Sequence, residues 1–100
     1  MNGTILLAED DRALSALITD FVTAADIAVV PVYDGAAAIA AAAEHRFDLL
    51  VLDVMMPEYT GLEVCRTVRA SSDVPVVFLT ALGQEADAIA GYRAGADDYI

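Results

Sequence analysis

Short apolar segments alternate with segments of helical character along this chain, and this alternation constrains the fold more than any other feature. The predicted strands are Thr4–Ala8, Ile27–Val32, Leu49–Leu52, Val74–Leu79 and a fifth that starts within Asp97–Ile100. The predicted helices, from apolar spacing or alanine content, are Leu14–Ala25, Gly35–His45, Gly61–Ala70 and Gln84–Ala94. Strands that are apolar at nearly every position are typical of a parallel sheet buried on both faces.

This order of elements predicts a three-layer α/β sandwich. Helices connect successive parallel strands through right-handed crossovers and cover the two faces of the sheet. The chain is 100 residues long and contains no linker or repeat, so we interpret residues 1–100 as one domain. In such sheets, ligands bind at the carboxyl edge of the strands, and functional side chains are therefore expected directly after strands.

The charge balance excludes several classes of protein. Sixteen acidic residues face five arginines and no lysine, which gives a net charge of −11 and argues against nucleic-acid binding through these residues. The purest apolar run, Ala36–Ala43, is too short to span a membrane. A single cysteine, Cys65, cannot form an intrachain disulfide, which fits a cytoplasmic protein.

Acidic residues follow two of the predicted strands. Glu9 and Asp10 come directly after the first strand, Asp53 follows the third, and Thr80 follows the fourth. If the first and third strands are neighbours, the three carboxylates converge, and their mutual repulsion requires a cation or raised pKa values. A few oxygen ligands with room for water favour Mg²⁺, whereas Asp11 is better explained as a helix N-cap.

Four segments together resemble the receiver domain of two-component response regulators. They are ILLAEDD, DLLVLDVMMPEYTGLEVCRTVR, VPVVFLTA and GYRAGADDYI, and the resemblance covers essentially the whole chain. The motif D-x-x-M-P-x-x-x-G starts at Asp53 and ends at Gly61. The resemblance implies a flavodoxin-like fold with strand order 2-1-3-4-5. The last segment is most similar to members that carry a winged-helix DNA-binding output domain, which implies transcriptional control.

The resemblance also implies a metal site. Asp10 would bind Mg²⁺ directly, with Mn²⁺ as an alternative ion, and Glu9 would act through a coordinated water. Asp53 and the backbone carbonyl of Met55 would complete the protein ligands. No organic cofactor is implied.

The expected activity is that of a phosphoryl-accepting switch. Asp53 would accept a phosphoryl group from a sensor histidine kinase, and Thr80 would hydrogen-bond that group. Tyr99 matches the aromatic position that swings inward on activation. The protein would control an output domain or a downstream partner, and it would not be an enzyme beyond its own phosphorylation and dephosphorylation.

The sequence departs from the family at its carboxyl end. The family has a lysine two residues beyond Ile100 that pairs with the phosphoryl group, and a fifth helix follows it. We therefore expect a truncated receiver domain with an incomplete fifth strand, no last helix, bare apolar surface, and a tendency to associate or swap elements. None of the five arginines follows a strand directly, so we expect the phosphoryl site to lack its usual cation.

Two alternatives share the same pattern. The missing lysine favours a receiver-like interaction module that does not transfer phosphate. A phosphatase of the haloacid-dehalogenase type also places a nucleophilic aspartate after a parallel strand. Such enzymes need a second aspartate two residues later, where this chain has Met55.

Overall fold

The computed structural model describes residues 3–79 and the backbone of residues 98 and 99. Its strands are β1 (Thr4–Ala8), β2 (Ala28–Val32), β3 (Leu49–Asp53), β4 (Val76–Leu79) and β5 (Asp98–Tyr99). Its helices are α1 (Arg12–Thr23), α2 (Gly35–Glu44) and α3 (Gly61–Arg69). The predicted helix over 84–94 lies outside the described residues.

The five strands form one parallel sheet in the order β2-β1-β3-β4-β5, which confirms the predicted flavodoxin-like topology. The chain moves from β1 outward to β2 and then returns past β1 to β3. Right-handed crossovers in opposite directions put α1 on one face of the sheet and α2 and α3 on the other. The point where the direction reverses, between β1 and β3, is where ligands bind in such folds.

Side chains at the element boundaries account for where the helices and strands begin. Asp11 and Asp34 accept hydrogen bonds from backbone N–H groups in the first turns of α1 and α2, and Thr60 forms a capping box at the start of α3. β4 begins two residues later than predicted. Pro75 has no N–H to donate to the ladder, and the Val74 N–H donates to the Ser72 hydroxyl instead.

The core lies between the sheet and the α2–α3 layer. Its fully buried members come from the central strands and from α3, and they include Leu6, Leu50, Leu52, Val64, Cys65, Val76 and Phe78. β2 lies at one edge of the sheet and is more exposed than β1 along most of its length. None of the described helices is long and apolar enough to cross a membrane.

The orientation of α1 leaves much of its apolar stripe exposed, and bare apolar surface was expected from the sequence. Leu17 and Phe21 are 66% and 81% exposed, and Leu14 is also exposed, whereas Ser15 is buried. The 3.6-residue repeat places these residues on adjacent stripes of one helix, and α1 turns the Ser15 stripe toward the sheet. The result is an exposed apolar face that begins one turn after the carboxyl edge of β1.

Candidate functional site: an acidic cluster at the carboxyl edge of the sheet

The register of β1 and β3 brings the predicted acidic residues together. Ala8 pairs with Leu52, so Glu9 and Asp53 occupy equivalent positions at the ends of neighbouring strands. Glu9, Asp10 and Asp53 each place a carboxylate oxygen within 4.8 Å of the other two. The convergence that the sequence analysis made conditional on neighbouring strands is therefore present.

The electrostatics of this cluster are set first by burial. Glu9 is only 4% exposed, and burial raises its pKa to about 7, with the negative charge of Asp53 adding to the effect. The Asp11 N–H donates to Glu9 Oε2 at 2.9 Å and opposes this rise. Burial also raises the pKa of Asp53, whereas hydrogen bonds from Glu9 and from the Met55 N–H lower it. The cluster thus resists carrying three full negative charges.

Backbone contacts fix the loop that follows Asp53. The Met55 N–H donates to Asp53 Oδ1 at 3.3 Å, and the Gly61 N–H donates to the Val54 carbonyl at 2.9 Å. A Cβ atom at Gly61 would lie 2.2 Å from the Asp53 carbonyl oxygen, so the close approach of α3 to the end of β3 requires glycine. The Met55 N–H and the close approach of Gly61 therefore both restrict the position of Asp53.

The loop also contains a strained residue. Glu58 has a φ of 72°, in the left-handed region that costs a residue with a Cβ roughly 1–2 kcal/mol. Its neighbour Tyr59 donates from its N–H to the Pro57 carbonyl at 2.9 Å, which closes a tight turn around Glu58. The strain follows from the loop turning back to start α3 only eight residues after Asp53.

The donor set of the cluster fits a hard divalent cation. The cluster offers three carboxylates as oxygen ligands, and Mg²⁺ prefers oxygen ligands. Glu9 is buried but Asp10 is exposed, so water can complete the coordination, as Mg²⁺ requires. A bound cation would offset the repulsion among the carboxylates, which adds to the effect of burial on the pKa of Glu9. Glu9, Asp10 and Asp53 are therefore the residues that would hold the ion.

Other predicted site residues are placed less completely. Thr80 lies outside the described residues, but Leu79 just before it pairs with Asp53 in the β3–β4 register. The backbone of Tyr99, in β5, pairs with Phe78 of β4.

The Met55 side chain is 58% exposed, and the role of its carbonyl as a ligand stays a prediction. Asp11 is an N-cap, as predicted, through bonds to the Ala13 and Leu14 N–H groups.

Sequence reasoning missed Arg12. The expectation that no arginine stands at the phosphoryl edge considered only residues directly after strands. The fold places Arg12 at that edge as the first residue of α1, with its guanidinium carbon 3.9 Å from the centre of the Tyr33 ring. A signal was available, because the first position of a helix is unfavourable for a cation and calls for another partner.

Comparison with known proteins assigns the family. The family model of the response regulator receiver domain matches residues 5–100. The DNA-binding response regulator MtrA of Mycobacterium tuberculosis is 40% identical over 100 residues, which are 100% of this chain and 44% of MtrA. The transcriptional regulatory protein ResD of Bacillus subtilis is 38% identical over 96% of this chain and 40% of its own length. The chain thus spans less than half the length of these relatives, which are named as regulators rather than as enzymes.

Solved structures agree with this assignment. The receiver domain of the sensor histidine kinase PA1611 of Pseudomonas aeruginosa, solved with a magnesium ion in its active site cleft, has a TM-score of 0.91 and 29% identity over 100% of this chain and 84% of that one. The response regulator DrrB of Thermotoga maritima, an OmpR/PhoB homolog, has a TM-score of 0.88 and 30% identity, with 100% of this chain and 45% of DrrB covered.

Proposed function

This chain belongs to the response regulator receiver domain family, and from that premise we propose that it is a signalling switch phosphorylated on Asp53 with Mg²⁺. The observation that carries the proposal is the cluster of Glu9, Asp10 and Asp53, whose carboxylate oxygens lie within 4.8 Å of one another. A structural role alone does not explain why three acids share one sheet edge with a buried member, since their repulsion opposes folding.

Asp53 is the nucleophile in this proposal. One of its carboxylate oxygens attacks the phosphorus of the donor, and the bond from phosphorus to the leaving group breaks as the new O–P bond forms. The leaving group, a histidine ring or a carboxylate, departs with the bonding electron pair. When bound, Mg²⁺ neutralises charge on the transferred phosphoryl oxygens. The Met55 N–H holds the second oxygen of Asp53 at 3.3 Å and so orients the attacking one.

The other residues bind and respond. Asp10, which is exposed, would bind the metal directly and Glu9 would act through a coordinated water, with Asp53 and the Met55 carbonyl completing the protein ligands. We assign Thr80 to the hydrogen bond with the phosphoryl group and Tyr99 to the aromatic switch. Mn²⁺ is expected to substitute for Mg²⁺, because both are hard ions that accept oxygen ligands.

The partners follow from the site and its surroundings. A sensor histidine kinase in the cytoplasm would supply the phosphoryl group. We propose that this kinase binds the exposed apolar face of α1, which lies beside the site. Leu14, Leu17 and Phe21 form this face. Relatives of this chain are named as DNA-binding and transcriptional regulators, so we propose that the switch controls transcription through an output domain.

The test is phosphoryl transfer measured by intact mass. The chain is incubated with acetyl phosphate and Mg²⁺, and in parallel with a phosphorylated histidine kinase. We expect one phosphoryl adduct that is lost in Asp53→Asn and on chelation of Mg²⁺, and retained in the control Asp20→Asn on the exposed side of α1. Failure of both donors to modify the wild-type chain would contradict the proposal and favour the interaction module without phosphotransfer.

A further inference from the structure

The contact between Arg12 and Tyr33 joins two loops at the carboxyl edge of the sheet. Arg12 follows the β1 acidic residues, and Tyr33 follows β2, which neighbours β1. The Glu9 N–H donates to the Val32 carbonyl at 3.1 Å, so the two loops leave the sheet side by side. A guanidinium 3.9 Å from a tyrosine ring centre makes a cation–π contact, which holds the long arginine side chain against the residue that follows β2 at this edge of the sheet.

The helix itself gives no reason for a cation at this position. The N-terminus of a helix carries a partial positive charge, which disfavours arginine in the first turn. The first turn of α1 contains no acidic residue that could compensate. Within residues 3–79, the guanidinium N–H groups of Arg12 make no hydrogen bond or ion pair, so its donors remain free for an anion.

Arg12 is also isolated from the other arginines of the described part of the chain. Arg46 follows α2, and Arg66 and Arg69 lie in the last turn of α3. Since helices in this fold run from the carboxyl edge back to the amino edge, these three lie at the opposite end of the sheet. Arg93 is outside the described residues. Among the described residues, Arg12 therefore supplies the positive charge on the β2 side of an otherwise negative site.

The geometry points to Arg12, positioned by Tyr33, as the group that binds the phosphate of the incoming phosphodonor before transfer to Asp53. This inference rests on the proposed function and adds a residue to it. The ligand is a phosphoryl dianion, and its source is either a small acyl phosphate or a phosphohistidine. The paired N–H groups of a guanidinium can donate to two phosphate oxygens at once. The positive charge of Arg12 at the edge of the site also attracts the negatively charged phosphodonor, which the acidic cluster repels.

The experiment compares initial phosphorylation rates with acetyl phosphate as the donor concentration is varied at saturating Mg²⁺. We expect Arg12→Gln to lower the rate at subsaturating donor about three- to ten-fold at low ionic strength, and added salt to shrink the difference. Tyr33→Leu should give a smaller loss, because the arginine is present but no longer held. Arg46→Gln removes the same charge at the opposite edge and should stay within about 1.5-fold of wild type.

Several outcomes would overturn the inference. Equal rates for Arg12→Gln and Arg46→Gln would do so, as would a loss that does not depend on salt. A loss with phosphorylated kinase but none with acetyl phosphate would assign Arg12 to contact with the kinase protein instead of the phosphate.

A second measurement separates this inference from the proposed function. In Asp53→Asn, which cannot accept a phosphoryl group, inorganic phosphate is titrated with Mg²⁺ present while the Arg12 side-chain Nε–H resonance is followed by NMR. A saturable shift of the Arg12 resonance, with no matching shift of the Arg46 resonance at the opposite edge, supports the inference even if the wild-type chain takes up no phosphoryl group. An Arg12 resonance that phosphate does not move overturns it.

Discussion

Replacing Glu9 with glutamine tests the electrostatics of the acidic cluster. Folding raises the pKa of Glu9 from 4.5 to about 7, mainly through burial, so the folded protein holds this proton more tightly than the unfolded chain. The stability that protonated Glu9 contributes is complete below about pH 4.5 and is lost as the pH rises through about 7. Glutamine keeps the shape and an acceptor for the Asp11 N–H but cannot ionise.

The size of the effect follows from linkage. One pKa unit corresponds to about 1.4 kcal/mol, so this group alone lowers the free energy of unfolding of the metal-free wild type by about 2 kcal/mol between pH 5 and pH 7.5. Glu9→Gln should lack this dependence. The variant should therefore be more stable than wild type by about 3 kcal/mol at pH 7.5 and by only about 1 kcal/mol at pH 5.

The assay is urea unfolding followed by circular dichroism, with a chelator present and at several pH values. Glu44→Gln, at the exposed end of α2, removes the same charge outside the cluster. Its difference from wild type should change little between pH 5 and pH 7.5. A Glu9→Gln variant that is less stable than wild type at pH 7.5, or whose difference from wild type is equal at both pH values, would refute the reasoning.

Two further predictions concern the loop after Asp53. Glu58→Gly removes the strain of a Cβ at a φ of 72° and should raise the free energy of unfolding by about 0.5–1 kcal/mol in urea unfolding. The same change at Asp26, which has a φ of 68°, should give a smaller gain, because aspartate tolerates this region better, and the reverse order would argue against backbone strain. Gly61→Ala places a Cβ against the Asp53 carbonyl and should cost at least about 2 kcal/mol. A chain with Gly61→Ala that unfolds like wild type would show that α3 can move away from β3.

The sequence predicts the sheet and the acidic cluster because both depend on position along a strand. Apolar segments indicate the buried parallel strands, and a residue directly after such a strand must lie at the carboxyl edge. Glu9 and Asp53 are at that edge for this reason. The β1–β3 register, in which Ala8 pairs with Leu52, then places the two residues next to each other.

The features that the sequence did not predict depend on the rotation of a helix about its own axis and on contacts between separate loops. The sequence predicted bare apolar surface, but apolar spacing does not fix which stripe of α1 faces the sheet, so the exposure of Phe21 in particular was not predicted. The contact of Arg12 with Tyr33 joins residues from two different loops, and no local pattern specifies it. The left-handed conformation of Glu58 is likewise imposed by the loop as a whole.

The central claim is that Asp53 is the residue that becomes phosphorylated. Borohydride reduces an aspartyl phosphate to homoserine, so treatment of the chain after incubation with acetyl phosphate and Mg²⁺ leaves a permanent mark at the acceptor. Peptide mass spectrometry should find homoserine at position 53 and not at Asp10, and only when Mg²⁺ is present. Homoserine at the position of another aspartate would contradict the account. So would the absence of homoserine from this chain when a phosphorylated control receiver domain, treated in parallel, is reduced.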